Sequence, residues 1–219
     1  MKKYKSLLFD LDGTITDSSE GIINSIVYAL EKMDVTITDR DVLKKFVGPP
    51  LMDSYKKYFG FTNKEAELGL KLFREYFTEK GIYENRLFDG MDNLLQDLCQ
   101  SGYELVLATS KPIHFAERIL EYFDIKKYFS YISACPIDEA NTTKIDVMKS
   151  ALKMTSSNNK EEILMIGDTS FDINGAKICG IDSMGVLYGT DSAEELKNAT
   201  YLAKDVEEIR SILIENWIQ

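Results

Sequence analysis

The sequence is short of several things at once. Its 219 residues include only 3 cysteines, 4 prolines, 1 histidine and 1 tryptophan. Cys99, Cys135 and Cys179 are widely spaced and make no metal-ligand pattern, so they read as core thiols of a reducing compartment. No apolar run approaches the length needed to span a bilayer. The basic opening Met1-Lys2-Lys3-Tyr4-Lys5 leads into an apolar run too short for a secretory signal. Basic residues are the minority, 26 against 36 acidic ones, for a net charge of −10. That argues against nucleic acid or an anionic membrane as the main partner. A small anionic molecule stays open, because it needs only a few local positive groups. Repeats and low-complexity tracts are absent as well. The expectation is a soluble, cytoplasmic protein of one domain, or of one domain carrying a sizeable insertion.

What the chain does have is the stretch Leu7-Leu8-Phe9-Asp10-Leu11-Asp12-Gly13-Thr14. An apolar run ends in two aspartates one residue apart, then a Gly-Thr turn. Strand side chains alternate, which sends Asp10 and Asp12 to the same side. Two carboxylates that close are costly unless a cation or a shared proton relieves them. One is suited to ligate a hard metal such as Mg²⁺, which takes oxygen ligands and keeps positions open for phosphate. The other is suited to move a proton. An exposed Asp-rich turn is the competing explanation, and the apolar run in front weighs against it.

The consecutive apolar residues from about Ser6 to Leu11 suit a parallel strand covered on both faces. A helix is expected from Asp17, with Asp17 and Glu20 in capping-box spacing and Ile22, Ile26 and Leu30 on one face. Helical patterns continue to about Arg86, broken at Gly48-Pro49-Pro50. Beyond Phe88-Asp89-Gly90 the pattern alternates. Helices are expected at 91–100, 112–123, 143–154, through 176–179 and at 206–214, with strands at 103–108, 131–133, 163–166 and 183–187. Such alternation predicts an α/β fold, a Rossmann-like parallel sheet, from residues 1–16 and 87–219. Residues 17–86 then form a small all-helical domain inserted after the first strand.

Ligands of open α/β sheets bind at the carboxyl ends of strands, so those ends decide the chemistry. The strand ending at Ala108 runs into Thr109-Ser110-Lys111-Pro112. With Pro112 at the first helical position, the hydroxyls of Thr109 and Ser110 and the free N–H groups make an anion site, although a plain helix cap explains the motif equally well. Lys144 follows a cap at Thr142 or Thr143, which puts a cation at the positive end of a helix dipole. A nearby anion makes that placement favourable; a solvated surface lysine is the alternative. The strand at 163–166 ends in Gly167-Asp168-Thr169-Ser170-Phe171-Asp172, with Asp168 at its tip and Asp172 one turn on.

These four pieces, in this order, resemble the haloacid dehalogenase-like phosphohydrolases. The resemblance spans essentially the whole chain, and the helical block resembles the small cap domain of one branch. It implies Asp10 as nucleophile, forming an aspartyl-phosphate, and Asp12 as general acid and then base. It implies Mg²⁺ held by Asp10, the Asp12 backbone carbonyl and Asp168, with Asp172 supporting directly or through water. Thr109 would hold a phosphoryl oxygen, and Lys144 would neutralise the nucleophile and the transferring group. The cap is expected to close over the site and set specificity, and the protein to act as a monomer on a small phosphorylated metabolite.

The wording of the motifs, with Phe46-Val47-Gly48-Pro49-Pro50-Leu51 in the cap, resembles phosphoglycolate phosphatase-like proteins. A closely related set is 5′-nucleotidase-like; β-phosphoglucomutases and pyrophosphatases are more distant. The chain departs from many relatives at Phe88-Asp89-Gly90, which lacks a proline, and at Asn141-Thr142-Thr143-Lys144 and Thr169-Ser170-Phe171, which lack an arginine. A phosphoryl-receiver domain has similar ingredients, but it carries its acceptor on a middle strand and has no helical insertion after strand one. His114 and Trp217 are assigned structural places.

Overall fold

The computed structural model describes residues 4–136 and 142–214. Asn141 and Trp217 lie outside them. The chain divides into two compact units, residues 1–16 with 87–219, and residues 17–86.

The first unit is built on a six-stranded sheet. Its strands are β1 (Ser6–Phe9), then β4 (Glu104–Pro112), β5 (Phe129–Cys135), β6 (Ile163–Gly167), β7 (Asp182–Val186) and β8 (Tyr201–Ala203). The short β2 (Thr16–Asp17) and β3 (Arg86–Leu87) lie where the chain passes from one unit to the other, and they pair as a separate two-stranded sheet. The large sheet has the order β5-β4-β1-β6-β7-β8, and its neighbours are paired in parallel. Every residue of β1 and β6 is buried, as strands with helices on both faces require.

The helices of this unit are α5 (Met91–Gln100), α6 (Ile113–Tyr122), α7 (Lys144–Met154), α8 (Ser170–Cys179) and α9 (Val206–Leu213). Leu8 lies level with Val106 and Met165 across three strands, and these pack with Val147, Met148 and Ala151 of α7 and Ala176 and Cys179 of α8. Burying each large aliphatic side chain of this kind contributes roughly 1.5–3 kcal/mol. Leu7, Phe9, Leu107 and Ile166 are also fully buried.

Residues 17–86 carry α1 (Ser19–Lys32), α2 (Asp41–Lys44), α3 (Leu51–Phe59) and α4 (Asn63–Tyr76), followed by one π-helical turn at Phe77–Gly81. Their core is aromatic. Tyr55 stacks on Phe61 with ring centroids 5.6 Å apart and meets Phe46 edge-on at 5.2 Å. Thr62 and Glu65 form a capping box at the start of α4.

Several local expectations are corrected. The capping box foreseen at Asp17 and Glu20 is absent: α1 starts after Ser18, and the Asp17 carboxylate accepts from Ser19 N at 3.2 Å while pairing with Arg86 at 2.8 Å. Pro112 is the N-cap of α6 rather than its first helical residue, because β4 runs on through it. The strand β8 was not foreseen; three residues at a sheet edge carry too little alternation to register as a strand.

Candidate active site

Phe9, the last residue of β1, lies level with Leu107 of β4 on one side and Ile166 of β6 on the other, so the carboxyl ends of all three strands point the same way. The sheet order also changes direction here, since β4 and β5 lie to one side of β1 and β6, β7 and β8 to the other. Sequence dictates this placement through continuous apolar strands that stop at polar residues; the sheet then collects those residues at one edge.

Asp10 continues the ladder, its N–H donating to the Ile166 carbonyl at 2.9 Å, and its carboxylate is buried. Lys144 is the first residue of α7, behind a capping box made by Thr143 and Asp146. Its buried ammonium lies 2.7 Å from Asp10 Oδ1 and 2.7 Å from Asp172 Oδ1. The solvated-lysine alternative is therefore excluded, and two anions offset the unfavourable helix dipole. Asp168 and Asp172 are both fully buried. Asp172 sits at the third position of α8, where its Oδ2 accepts from Thr169 N at 3.1 Å and Thr169 Oγ1 at 2.7 Å. Asp168 Oδ1 accepts from Thr14 Oγ1 at 3.1 Å.

The turn after Asp10 brings the first strand against Asp168. Leu11 O accepts from the N–H groups of Ile15 at 2.9 Å and Thr16 at 3.0 Å, and Gly13 has φ of +81°. A Cβ at Gly13 would fall 2.1 Å from Asp168 Oδ2, so both conformation and space require glycine.

Burial dominates the electrostatics. It pushes the Asp10 carboxyl up to about 6, with Asp172 adding to the rise and Lys144 opposing it. Asp168 is pushed up to about 7 by burial, then by repulsion from Asp172 and Asp10. Burial pulls Lys144 downward, but Asp10 and Asp172 outweigh it and hold the ammonium above its ordinary value.

Asp10, Asp168 and Asp172 each offer a carboxylate oxygen within 4.8 Å of the others. Asp10 Oδ1 and Asp172 Oδ1 are buried, and each meets the Lys144 ammonium at 2.7 Å as an ion pair. Three carboxylates face one ammonium. All-oxygen donors with unmet acceptor capacity and excess negative charge fit a hard divalent cation.

Asp12 stands apart from that cluster. Both its oxygens take hydrogen bonds from Lys111 Nζ, at 2.8 and 3.0 Å, and the Lys111 side chain is nearly buried. Thr109 is buried in β4 just ahead of its register shift, its Oγ1 accepting from Lys111 N at 3.2 Å, whereas Ser110 is exposed. The sequence alone assigns Lys111 no role, although it stands within Thr109-Ser110-Lys111-Pro112. Its reach to Asp12 follows from a register jump in which Thr109 pairs with Ala134 but Pro112 with Cys135, leaving Ser110 and Lys111 as extra residues. No spacing in the sequence announces that bulge. His114 rests against the Phe115 ring, centroids 3.9 Å apart.

Known proteins are similar to this chain over nearly its whole length. The 5′-nucleotidase of Pseudomonas aeruginosa is 37% identical over 213 residues, covering 96% of each chain. The tyrosine-protein kinase PtkA of Mycobacterium tuberculosis is 35% identical over 211 residues, covering 94% of this chain and 72% of that one. The crystal structure of a predicted phosphatase from Clostridium acetobutylicum superposes with a TM-score of 0.90 at 41% identity, covering 97% of this chain and 99% of that one. Residues 7–186 match the family model of the haloacid dehalogenase-like hydrolases, which takes in the strand-end aspartates, Lys144 and the helical block between them; the chain belongs to that family.

Proposed function

We propose that this hydrolase is a Mg²⁺-dependent phosphatase acting on small phosphate monoesters through an aspartyl-phosphate on Asp10. The observation that carries the reading is the unequal setting of two neighbouring carboxylates. Asp10 lies among Lys144, Asp168 and Asp172, whereas Asp12 is held separately by Lys111. Groups of one chemical kind in different environments take different roles.

In the first step an Asp10 oxygen attacks phosphorus in line. The bond to the ester oxygen breaks, and protonated Asp12 gives that oxygen its proton. In the second step Asp12, now a carboxylate, takes a proton from water as the water attacks phosphorus, releasing phosphate and restoring Asp10. The Lys111 ammonium donates to Asp12 in both its forms, keeping the carboxyl group in place for both transfers, and forms an ion pair with it once it is ionised. Lys144 neutralises Asp10 and the incoming dianion, and Thr109 is placed in β4 to hold a phosphoryl oxygen. Asp10, the Asp12 backbone carbonyl and Asp168, with Asp172 in support, would hold the divalent ion, which supplies charge stabilisation for the transferring group.

For the substrate, the motif wording supports a phosphoglycolate-like compound, and the name of the 37% identical relative supports a nucleoside 5′-monophosphate. Residues 17–86 are the proposed specificity element, acting as a cap. The three free thiols fit a cytoplasmic setting, and among the described residues no helix is long and apolar enough to cross a membrane. The test is phosphate release with Mg²⁺ from phosphoglycolate, nucleoside monophosphates, pyrophosphate and sugar phosphates, alongside Asp10→Asn. Preference for one class, absent in the variant, supports the reading and chooses the substrate. No release from any of them overturns it. Grafting a relative's cap should change the profile, and an unaltered profile would remove the specificity role.

A further inference from the structure

The segment that leaves β7 belongs to none of the sequence motifs, yet four of its residues converge on Asp168 and on the turn after Asp10. Thr190 N donates to Asp168 Oδ2 at 2.8 Å, and Asp191 N donates to the Asp168 carbonyl at 3.2 Å. Asp191 Oδ2 in turn accepts from Ser170 N, at the start of α8, at 2.7 Å. The Tyr188 hydroxyl donates to the Thr14 carbonyl at 2.9 Å, and Thr14 is the residue whose Oγ1 holds Asp168 Oδ1. Gly189 comes so close that a Cβ there would fall 2.3 Å from Asp168 Cβ and 2.5 Å from the Gly13 carbonyl. A loop that only returned the chain to the next strand would need none of these contacts.

We propose that residues 188–191 form a clasp of positioning residues that orients Asp168 for divalent-ion binding, Tyr188 acting through Thr14 and Asp191 through Ser170. The inference rests on the reading of Asp168 as a ligand of that ion. Asp168 is fully buried and faces two other carboxylates, so unrestrained it would turn away from them. The clasp prevents this by fixing each oxygen with a donor from a different segment. Each oxygen still has a lone pair available, because a carboxylate oxygen accepts more than one bond. The Tyr188 ring packs on Phe88 with centroids 4.6 Å apart, which sets where its hydroxyl points. Direct partners of a metal ligand, here Thr14 and Thr190, are worth roughly 10–100-fold in metal affinity, and Tyr188 and Asp191 act one step behind them.

The test is direct titration of the metal-stripped protein with Mn²⁺, followed by the EPR signal of the free ion, so no turnover is needed. Tyr188→Phe keeps the ring and removes one hydrogen bond; Asp191→Ala removes the acceptor for Ser170, and Asp191→Asn keeps an acceptor there. Tyr103→Phe is the matched control, since it removes a buried hydroxyl bond to the Leu213 carbonyl at the opposite end of β4. Tyr188→Phe and Asp191→Ala should each weaken Mn²⁺ binding by up to roughly tenfold, the lower end of what a direct partner is worth. Asp191→Asn should recover most of the loss, and Tyr103→Phe should lower thermal stability without moving the affinity. In turnover the deficit should lie in the Mg²⁺ concentration needed for half-activity rather than in KM for the ester. Variants that lose stability yet bind Mn²⁺ as tightly as wild type would overturn the clasp while leaving the proposed function standing. Wild-type protein that binds no Mn²⁺ would overturn both.

Discussion

The two ends of the central sheet are made from similar residue types and are finished in opposite ways. At the amino end the buried polar groups are paired. Tyr4 donates to Asp182 at 2.6 Å, Ser6 donates to Glu104 at 2.6 Å, and Glu104 also accepts from Ser156 N at 2.9 Å. At the carboxyl end the buried carboxylates of Asp10 and Asp172 share the one ammonium of Lys144, and burial and repulsion between carboxylates raise Asp10 and Asp168. The amino end is arranged for stability. The carboxyl end holds charge that folding alone does not favour, which is where stability has been given up for chemistry.

The sharpest way to break that contrast is Asp10→Asn. It is nearly isosteric but cannot act as the nucleophile, so phosphate release should vanish from a variant of normal fold. Ordinary turnover would mean that the carboxyl end is merely a strained cap. Asp12→Ala comes next, with an expected loss of roughly 10²–10⁴-fold, the usual range for a general acid or base. Unchanged hydrolysis of alkyl phosphates would assign the proton transfer elsewhere.

The third effect is on stability. Asp10 and Asp168 rise from 3.8 to about 6 and about 7, so the folded chain binds these protons more tightly than the unfolded one. Their contribution is fully favourable below the unfolded value and is lost as pH rises through the folded values. With chelator present, the melting temperature should therefore fall between about pH 4 and pH 7 relative to the same protein in Mg²⁺. Coincident curves would show that the cluster and the ion do not interact. The smallest effect should come from the amino end: Tyr4→Phe is expected to cost about 0.5–1.5 kcal/mol in denaturant titration and leave kcat unaltered. A kcat effect there would dissolve the division between the two ends.

Much of the sheet was legible because β1, β4 and β6 carry apolar runs stopped by polar residues or glycine. The residues that converge at the carboxyl edge were legible for the same reason, since Asp10 and Asp168 are the points where such runs end. The short edge strand β8 was missed because three residues carry almost no period. Lys111 was missed as a partner of Asp12 because its direction depends on a bulge against β5. Residues 188–191 were missed because every contact they make with Asp168, Gly13, Thr14 and Ser170 is distant in sequence. Asp17 misled because a carboxylate two residues before a helix looks the same whether it caps that helix or pairs with Arg86.

The sequence by itself determined the alternation of apolar strands and amphipathic helices, the insertion at 17–86, and which carboxylates end a strand. Hydrophobic periodicity is local, and it decides where a strand must stop. Only the tertiary structure decided which of those carboxylates meet Lys144, which one Lys111 holds, and how the loop after β7 closes on Asp168. Those pairings depend on distances of 2.7 to 3.2 Å between groups far apart in the chain. Burial alone gives such distances their force, because a charge that water would screen must there be matched by the residue beside it.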